Sequence, residues 1–172
     1  MGDPFSEKSA LGSLISIQHR EKIERFIEGA KQEGSRILAG GKRPSLPAPF
    51  SNGAFFEPTV IDNLPPDSRV TQEEIFGPVV SLYRFRTDDE ALAMANLVRY
   101  GLSASVWTTN LKRAHTVSQK LQAGTVWVNT WNVRDLRVPF GGVKESGVGR
   151  EGGHYSLDFF SNLKNICIQL GE

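Results

Sequence analysis

The sequence predicts an α/β fold organised around a parallel βαβαβ unit. Two observations carry that expectation. Between Val79 and Asn129, three runs rich in β-branched and aromatic residues alternate with two segments whose apolar residues recur at helical spacing. The joints are short, which favours parallel strands linked by right-handed crossovers. The size agrees: 172 residues, 39% hydrophobic and 23% charged, suffice for one domain with a core.

Residues 1–14 have no periodicity and read as an irregular approach. A helix is expected over Ile17–Gln32. Ile23, Phe26, Ile27 and Ala30 form one stripe, and Glu21, Lys22, Arg25 and Glu28 a solvated face. Gly34 ends it, and Arg36–Ala39 is a short strand before Gly40-Gly41. Residues 42–53 contain three prolines and end in Asn-Gly, so they form a loop. A surface excursion is preferred over a domain linker, because apolar patterning resumes at once. Residues 54–61 read as a strand with Pro58 at an edge or bulge, and residues 63–67 as a turn.

Glu73-Glu74-Ile75-Phe76-Gly77-Pro78-Val79 closes this turn-rich passage and opens the regular pattern. Residues 79–85 are a strand. Thr87 and Glu90 have capping-box spacing, followed by Ala91, Leu92, Ala95 and Val98 on one helical face, with Gly101 as a left-handed stop. Residues 102–108 are a second strand. Asn110 caps a second helix bearing Leu111, Ala114, Val117 and Leu121, which Gly124 ends. Residues 125–129 are the third strand. Residues 131–138 lack a period, residues 139–153 are dense in glycine, residues 156–160 suggest a short helix, and residues 165–170 alternate like a terminal strand.

A formal net charge of +1 provides no field for nucleic acid or a membrane surface. No apolar run is long enough for a bilayer, and the polar N-terminus is unlike a signal peptide. The single cysteine, Cys167, excludes an internal disulfide and fits a reducing, cytoplasmic setting.

Gly147-Val148-Gly149-Arg150-Glu151-Gly152 matches G-x-G-x-x-G, but no strand precedes it, so a loop with unusual backbone angles is the better reading. Gly41-Lys42 lacks the other parts of a phosphate loop. Cys167, between Ile166 and Ile168, reads as packed in a strand rather than as a nucleophile. The three histidines lack metal-ligand spacing. At Glu73-Glu74, Gly-Pro fixes a corner from which Phe76 and one carboxylate project; such a carboxylate can accept two ribose hydroxyls, although solvated acids are the default. Arg134 and Arg137 follow the carboxyl end of the last strand, where α/β sheets bind ligands. They suit a bidentate carboxylate grip, with surface pairing to Asp135 as the default.

The motifs at 73–79 (EEIFGPV), 124–129 (GTVWVN) and 139–151 (PFGGVKESGVGRE) together resemble the C-terminal part of the NAD(P)-dependent aldehyde dehydrogenase superfamily. The likeness runs through essentially the whole chain. Residues 129–131, 134–137, 149–153 and 164–167 are most similar to the branch oxidising 2-aminomuconate or 2-hydroxymuconate semialdehyde. The resemblance implies that Glu74 binds the nicotinamide ribose and that Phe76 lies beside the nicotinamide ring of NAD. It places His19 and Lys22 on the helix approaching the cofactor. It implies that Phe140 lines the aldehyde tunnel and that Arg134 meets a substrate carboxylate, which reverses the default for that arginine. Residues 1–160 would be part of the catalytic domain, and residues 161–172 an oligomerisation strand and tail of a homo-oligomer. The family's nucleophilic cysteine, general base and main dinucleotide domain match sequence upstream of Met1. Thr130 stands where some members carry a second cysteine. The expectation is therefore a partial enzyme, inactive alone; the alternative is a non-catalytic assembly module that pairs with full-length subunits.

Overall fold

A computed structural model describes residues 1–171, in two compact units that divide after Arg86.

The first unit opens with helix α1 (Ile17–Gln32). Ser16 caps it by accepting a hydrogen bond from the His19 amide at 3.1 Å. At the other end Gly34, at φ +83°, gives its N–H to the Lys31 carbonyl, and Ser35 gives its own to Ala30. That pair of bonds satisfies carbonyls the helix itself leaves over. The stripe Ile23, Phe26, Ile27 and Ala30 is buried. It packs with Phe56, Ile61, Leu64 and Val70 into one core.

Strand β1 (Arg36–Ala39) pairs antiparallel with β2 (Thr59–Asp62), with a register shift between Ile37 and Ala39. The four-residue helix α2 (Arg69–Gln72) separates β2 from β3 (Val79–Leu82), which runs parallel to it. The strand expected over 54–61 starts only at Thr59. Pro58 has no N–H to enter a ladder, yet Ala54, Phe55 and Phe56 before it are buried. Their apolar character reports core packing, not strand pairing.

The second unit begins with α3 (Asp88–Leu97), capped by the Thr87 hydroxyl, which accepts from the Glu90 amide at 3.1 Å. β4 (Tyr100–Gly101) precedes β5 (Ser103–Val106), and α4 (Leu111–Lys120) leads to β6 (Thr125–Val128). The Asn110 side chain caps α4 through the Arg113 amide at 3.0 Å. β5 and β6 are parallel, so this part of the expected βαβαβ unit stands. The remainder is redistributed: β3 pairs with β2, and β4 pairs antiparallel with β7 (Val143–Lys144). Helix α5 (Gly153–Phe160) starts three residues before its expected position.

Gly101 and Gly124 are not left-handed helix stops. α3 ends at Leu97 and α4 at Lys120, each followed by a residue in extended conformation. Both glycines are required by close backbone approach: a Cβ on Gly101 would lie 2.3 Å from the Gln122 carbonyl oxygen, and one on Gly124 1.6 Å from that of Gly141. Asn96 joins the two helix ends, donating to the Lys120 carbonyl at 2.9 Å and accepting from the Gln122 amide at 2.8 Å.

Residues 162–171 form neither helix nor strand among the described residues and are exposed. The terminal strand is not seen in the single chain, where no neighbouring strand completes a ladder. Cys167 is exposed rather than packed.

Candidate functional site

The corner at 73–79 is held from beneath by α1. Ile75 packs against the core, and Gly77 lies so close to Ile23 that a Cβ there would come within 2.4 Å of Ile23 Cδ1. The His19 ring Nε2 donates to the Phe76 carbonyl at 2.6 Å, which sets the proton on that nitrogen. Lys22 Nζ donates to the Glu74 carbonyl at 3.3 Å. His19 and Phe76 also meet edge to face, with ring centroids 6.0 Å apart. His19, Lys22, Glu74 and Phe76 therefore lie together, with His19 and Lys22 holding the backbone of the corner.

Their grip explains an unusual backbone. Phe76 has φ +59°, a region that costs a residue with a Cβ on the order of 1 kcal/mol. The conformation presents its ring to solvent, 71% exposed. The two glutamates differ. Glu73 is bound by Arg69 at 2.8 and 3.0 Å. Among the described residues, the Glu74 carboxylate is exposed and has no ion-pair partner. Of the two acids, Glu74 is the one free to accept a pair of vicinal hydroxyls, and the exposed Phe76 ring offers a flat apolar face two residues away. These residues fit the ribose and ring of a nicotinamide nucleotide.

In the second unit the two arginines separate. Arg137 clasps Asp135 through three side-chain bonds of 2.5 to 3.1 Å, and these hold the Asp135 carboxyl below the usual carboxylate range. The default reading is right for Arg137. Arg134 does not join that pair. Its guanidinium carbon sits 3.9 Å over the Phe140 ring centroid, and its Nη2 donates to Glu151 Oε1 at 2.6 Å. Phe140 and Glu151 are themselves bridged by two backbone hydrogen bonds of 2.8 Å. Arg134, Phe140 and Glu151 thus form one cluster, and a cleft of about 220 Å³ is lined by Phe140, Glu151, Leu102 and Phe159 among others.

Glu151 is the residue that sequence reasoning missed. It lies in the glycine passage, and only the cross-bridge to Phe140 brings it to Arg134. No periodicity signals such a contact. The passage itself is a loop: Gly152 has φ +104°, and a Cβ there would fall 2.2 Å from the Val138 carbonyl oxygen. It holds the chain close, not a phosphate. Cys167 has no hydrogen-bonding or charged partner among the described residues. No group of three or more His, Cys, Asp or Glu suited to a metal ion occurs among them. No described helix is long and apolar enough to cross a membrane.

Comparison with known proteins identifies the family. The aldehyde dehydrogenase family matches residues 1–166, and the chain belongs to that family. It is 50% identical over 169 residues to a 2-aminomuconic 6-semialdehyde dehydrogenase from a Pseudomonas species, covering 98% of this chain and 34% of that protein. It is 46% identical over 170 residues to the 2-hydroxymuconic semialdehyde dehydrogenase of Pseudomonas sp. strain CF600, covering 99% and 35%. A betaine aldehyde dehydrogenase from Staphylococcus aureus in complex with NAD+ superposes with a TM-score of 0.87 at 43% identity, covering 92% of this chain and 31% of that one. The α/β fold is therefore that of aldehyde dehydrogenases, and the chain spans about a third of the length of these relatives.

Proposed function

We propose that this chain supplies the cofactor-holding corner and the substrate-shaping cluster of an NAD-dependent dehydrogenase that oxidises a carboxylated semialdehyde to the acid. The observation that carries the reading is the placement of Arg134. It is drawn away from Asp135 and laid on Phe140, where a planar fork of donors suits a carboxylate. The two Pseudomonas relatives, named for muconic semialdehydes, act on aldehydes that bear a carboxyl group.

In this reading the Glu74 carboxylate accepts the two hydroxyls of the nicotinamide ribose, and the Phe76 ring shields one face of the nicotinamide. A nicotinamide dinucleotide held there would supply the hydride acceptor for the oxidation. His19 and Lys22 keep the corner in its strained form. Phe140 excludes water along the substrate path, and Arg134 orients the substrate by its carboxylate, away from the reacting carbon. The reacting thiolate is not assigned to Cys167, which is exposed without a base. The chain alone is therefore expected to be inactive, with residues 1–160 as part of a catalytic domain.

The test is a full-length enzyme in which this chain replaces the matching third of the Pseudomonas 2-hydroxymuconic semialdehyde dehydrogenase. Arg134→Ala should raise KM for a carboxylated semialdehyde roughly tenfold to a hundredfold, the value of a lost charge-assisted hydrogen bond. KM for a neutral aldehyde should stay within a factor of about two. Equal effects on both would defeat the carboxylate role.

A second reading concerns assembly. Residues 161–171 are exposed, and Ile166, Ile168 and Leu170 alternate along them at 67%, 72% and 85% exposure. We assign residues 161–172, of which Glu172 lies outside the described residues, as an oligomerisation strand and tail that adds to a sheet edge of a neighbouring subunit in a homo-oligomer. Deleting them should abolish co-purification with a full-length relative; unchanged association would remove the assignment. The cytoplasm is the proposed setting, supported by a single cysteine in 172 residues.

A further inference from the structure

We propose that Glu151 sets the charge selectivity of the Arg134 cluster, acting as an internal counter-ion that weakens its preference for carboxylated over neutral aldehydes. The inference rests on the reading of Arg134 as the carboxylate-binding group. Glu151 Oε1 accepts from Arg134 Nη2 at 2.6 Å, and it is the acid paired with that arginine among the described residues. Its place is fixed by backbone. The Phe140 amide donates to the Glu151 carbonyl and the Glu151 amide to the Phe140 carbonyl, both at 2.8 Å. The residue that carries the counter-ion is therefore tied to the residue that carries the ring under the guanidinium, 3.9 Å away.

The consequence is electrostatic. Arg134 and Glu151 together have no net charge, although both side chains remain open to an incoming group, at 32% and 55% exposure. A guanidinium offers five N–H donors, and Glu151 engages one of its terminal nitrogens. A substrate carboxylate can take the remaining edge, but it then lies within a guanidinium's width of the Glu151 carboxylate. Like charges at that separation repel. A neutral aldehyde meets no such opposition. Glu151 thus keeps Arg134 flat on Phe140 in the empty site and lowers the discrimination that an unpaired arginine would impose. It is a specificity-determining residue that acts through Arg134; it need not touch substrate.

Glu151→Gln keeps the shape and a hydrogen-bond acceptor but removes the charge. In the same grafted full-length enzyme, the measurement is the ratio of kcat/KM for a carboxylated semialdehyde to that for a neutral aldehyde of similar length. Any effect on the common chemistry cancels in this ratio. The ratio should rise roughly threefold to thirtyfold in Glu151→Gln. Glu151→Ser removes the charge with a smaller side chain and should move the ratio the same way. In an Arg134→Ala background the Gln substitution should leave the ratio unchanged. An unchanged or lowered ratio in both single variants would overturn the proposal, as would an equal rise without Arg134. If Arg134→Ala itself leaves the ratio intact, the carboxylate reading of Arg134 fails. If Arg134→Ala collapses the ratio and Glu151→Gln does not move it, only the role of Glu151 fails.

Discussion

The two units bury themselves very differently. The first has an enclosed core in which Phe56, Ile23, Ile27 and Ile61 are at most 2% exposed. The second has Leu92 as its buried large hydrophobic residue among those described. It leaves Trp107, Trp131, Leu157, Phe160 and Leu163 between 63% and 92% exposed. Side chains of that size, left open in such number, leave the second unit with little apolar burial of its own. The comparison teaches where each candidate site draws its rigidity. The Glu74–Phe76 corner is braced by its own core, through Ile75 and α1. The Arg134–Phe140–Glu151 cluster is braced by backbone bridges and a stacked ion pair with little apolar mass beneath it. The first candidate site is thus supported by a core of its own, and the second by local bridges.

The contrast is broken most directly in the cores. Phe56→Ala should destabilise the first unit by about 3–5 kcal/mol, read as a shifted denaturant midpoint. Leu92→Ala should cost the second unit about 2 kcal/mol or less, because its surroundings are less enclosed. Equal losses would erase the distinction. A smaller effect sharpens the account of the corner. Phe76→Gly should stabilise the first unit by up to about 1 kcal/mol by relieving the positive φ. In the grafted enzyme the same change should raise KM for NAD. A variant that gains stability without losing NAD affinity would leave the strained backbone without a purpose.

Much of this was legible in the sequence. Helix α1 and its buried stripe follow from periodicity, and Thr87 and Asn110 are caps that announce themselves by residue type. The corner at 73–79 was legible as well, because Gly-Pro is a local constraint. What escaped depended on distant chain. Gly101 and Gly124 look like helix stops until Gln122 and Gly141 are seen to crowd them. The partner of β3 is β2, on the far side of a turn-rich passage, and local pattern is silent about pairing. Arg134 and Arg137 have the same local chemistry. Only the bridge at Phe140 and Glu151 tells them apart.

Acid supplies the smallest expected effect. The Arg43 hydrogen bonds hold the Glu24 carboxyl below its ordinary value, against the cost of its partial burial. The hydrogen bond from Arg36 does the same for Asp62. Both folded pKa values are depressed, so their stabilisation is complete above the unfolded carboxylate range. It is lost as pH falls through the folded values. The first unit should therefore keep a constant denaturant midpoint from neutral pH down to about pH 5 and lose stability below about pH 4. A midpoint that stayed flat through this acid range would show that neither pair contributes.

The most direct test of the whole account is NADH formation from a carboxylated semialdehyde, measured on the purified chain and on the chain grafted into the Pseudomonas dehydrogenase. The expected result is no turnover by the chain alone and NAD-dependent oxidation by the folded graft. Turnover by the isolated chain, or a folded graft that binds NAD yet oxidises nothing, would contradict it.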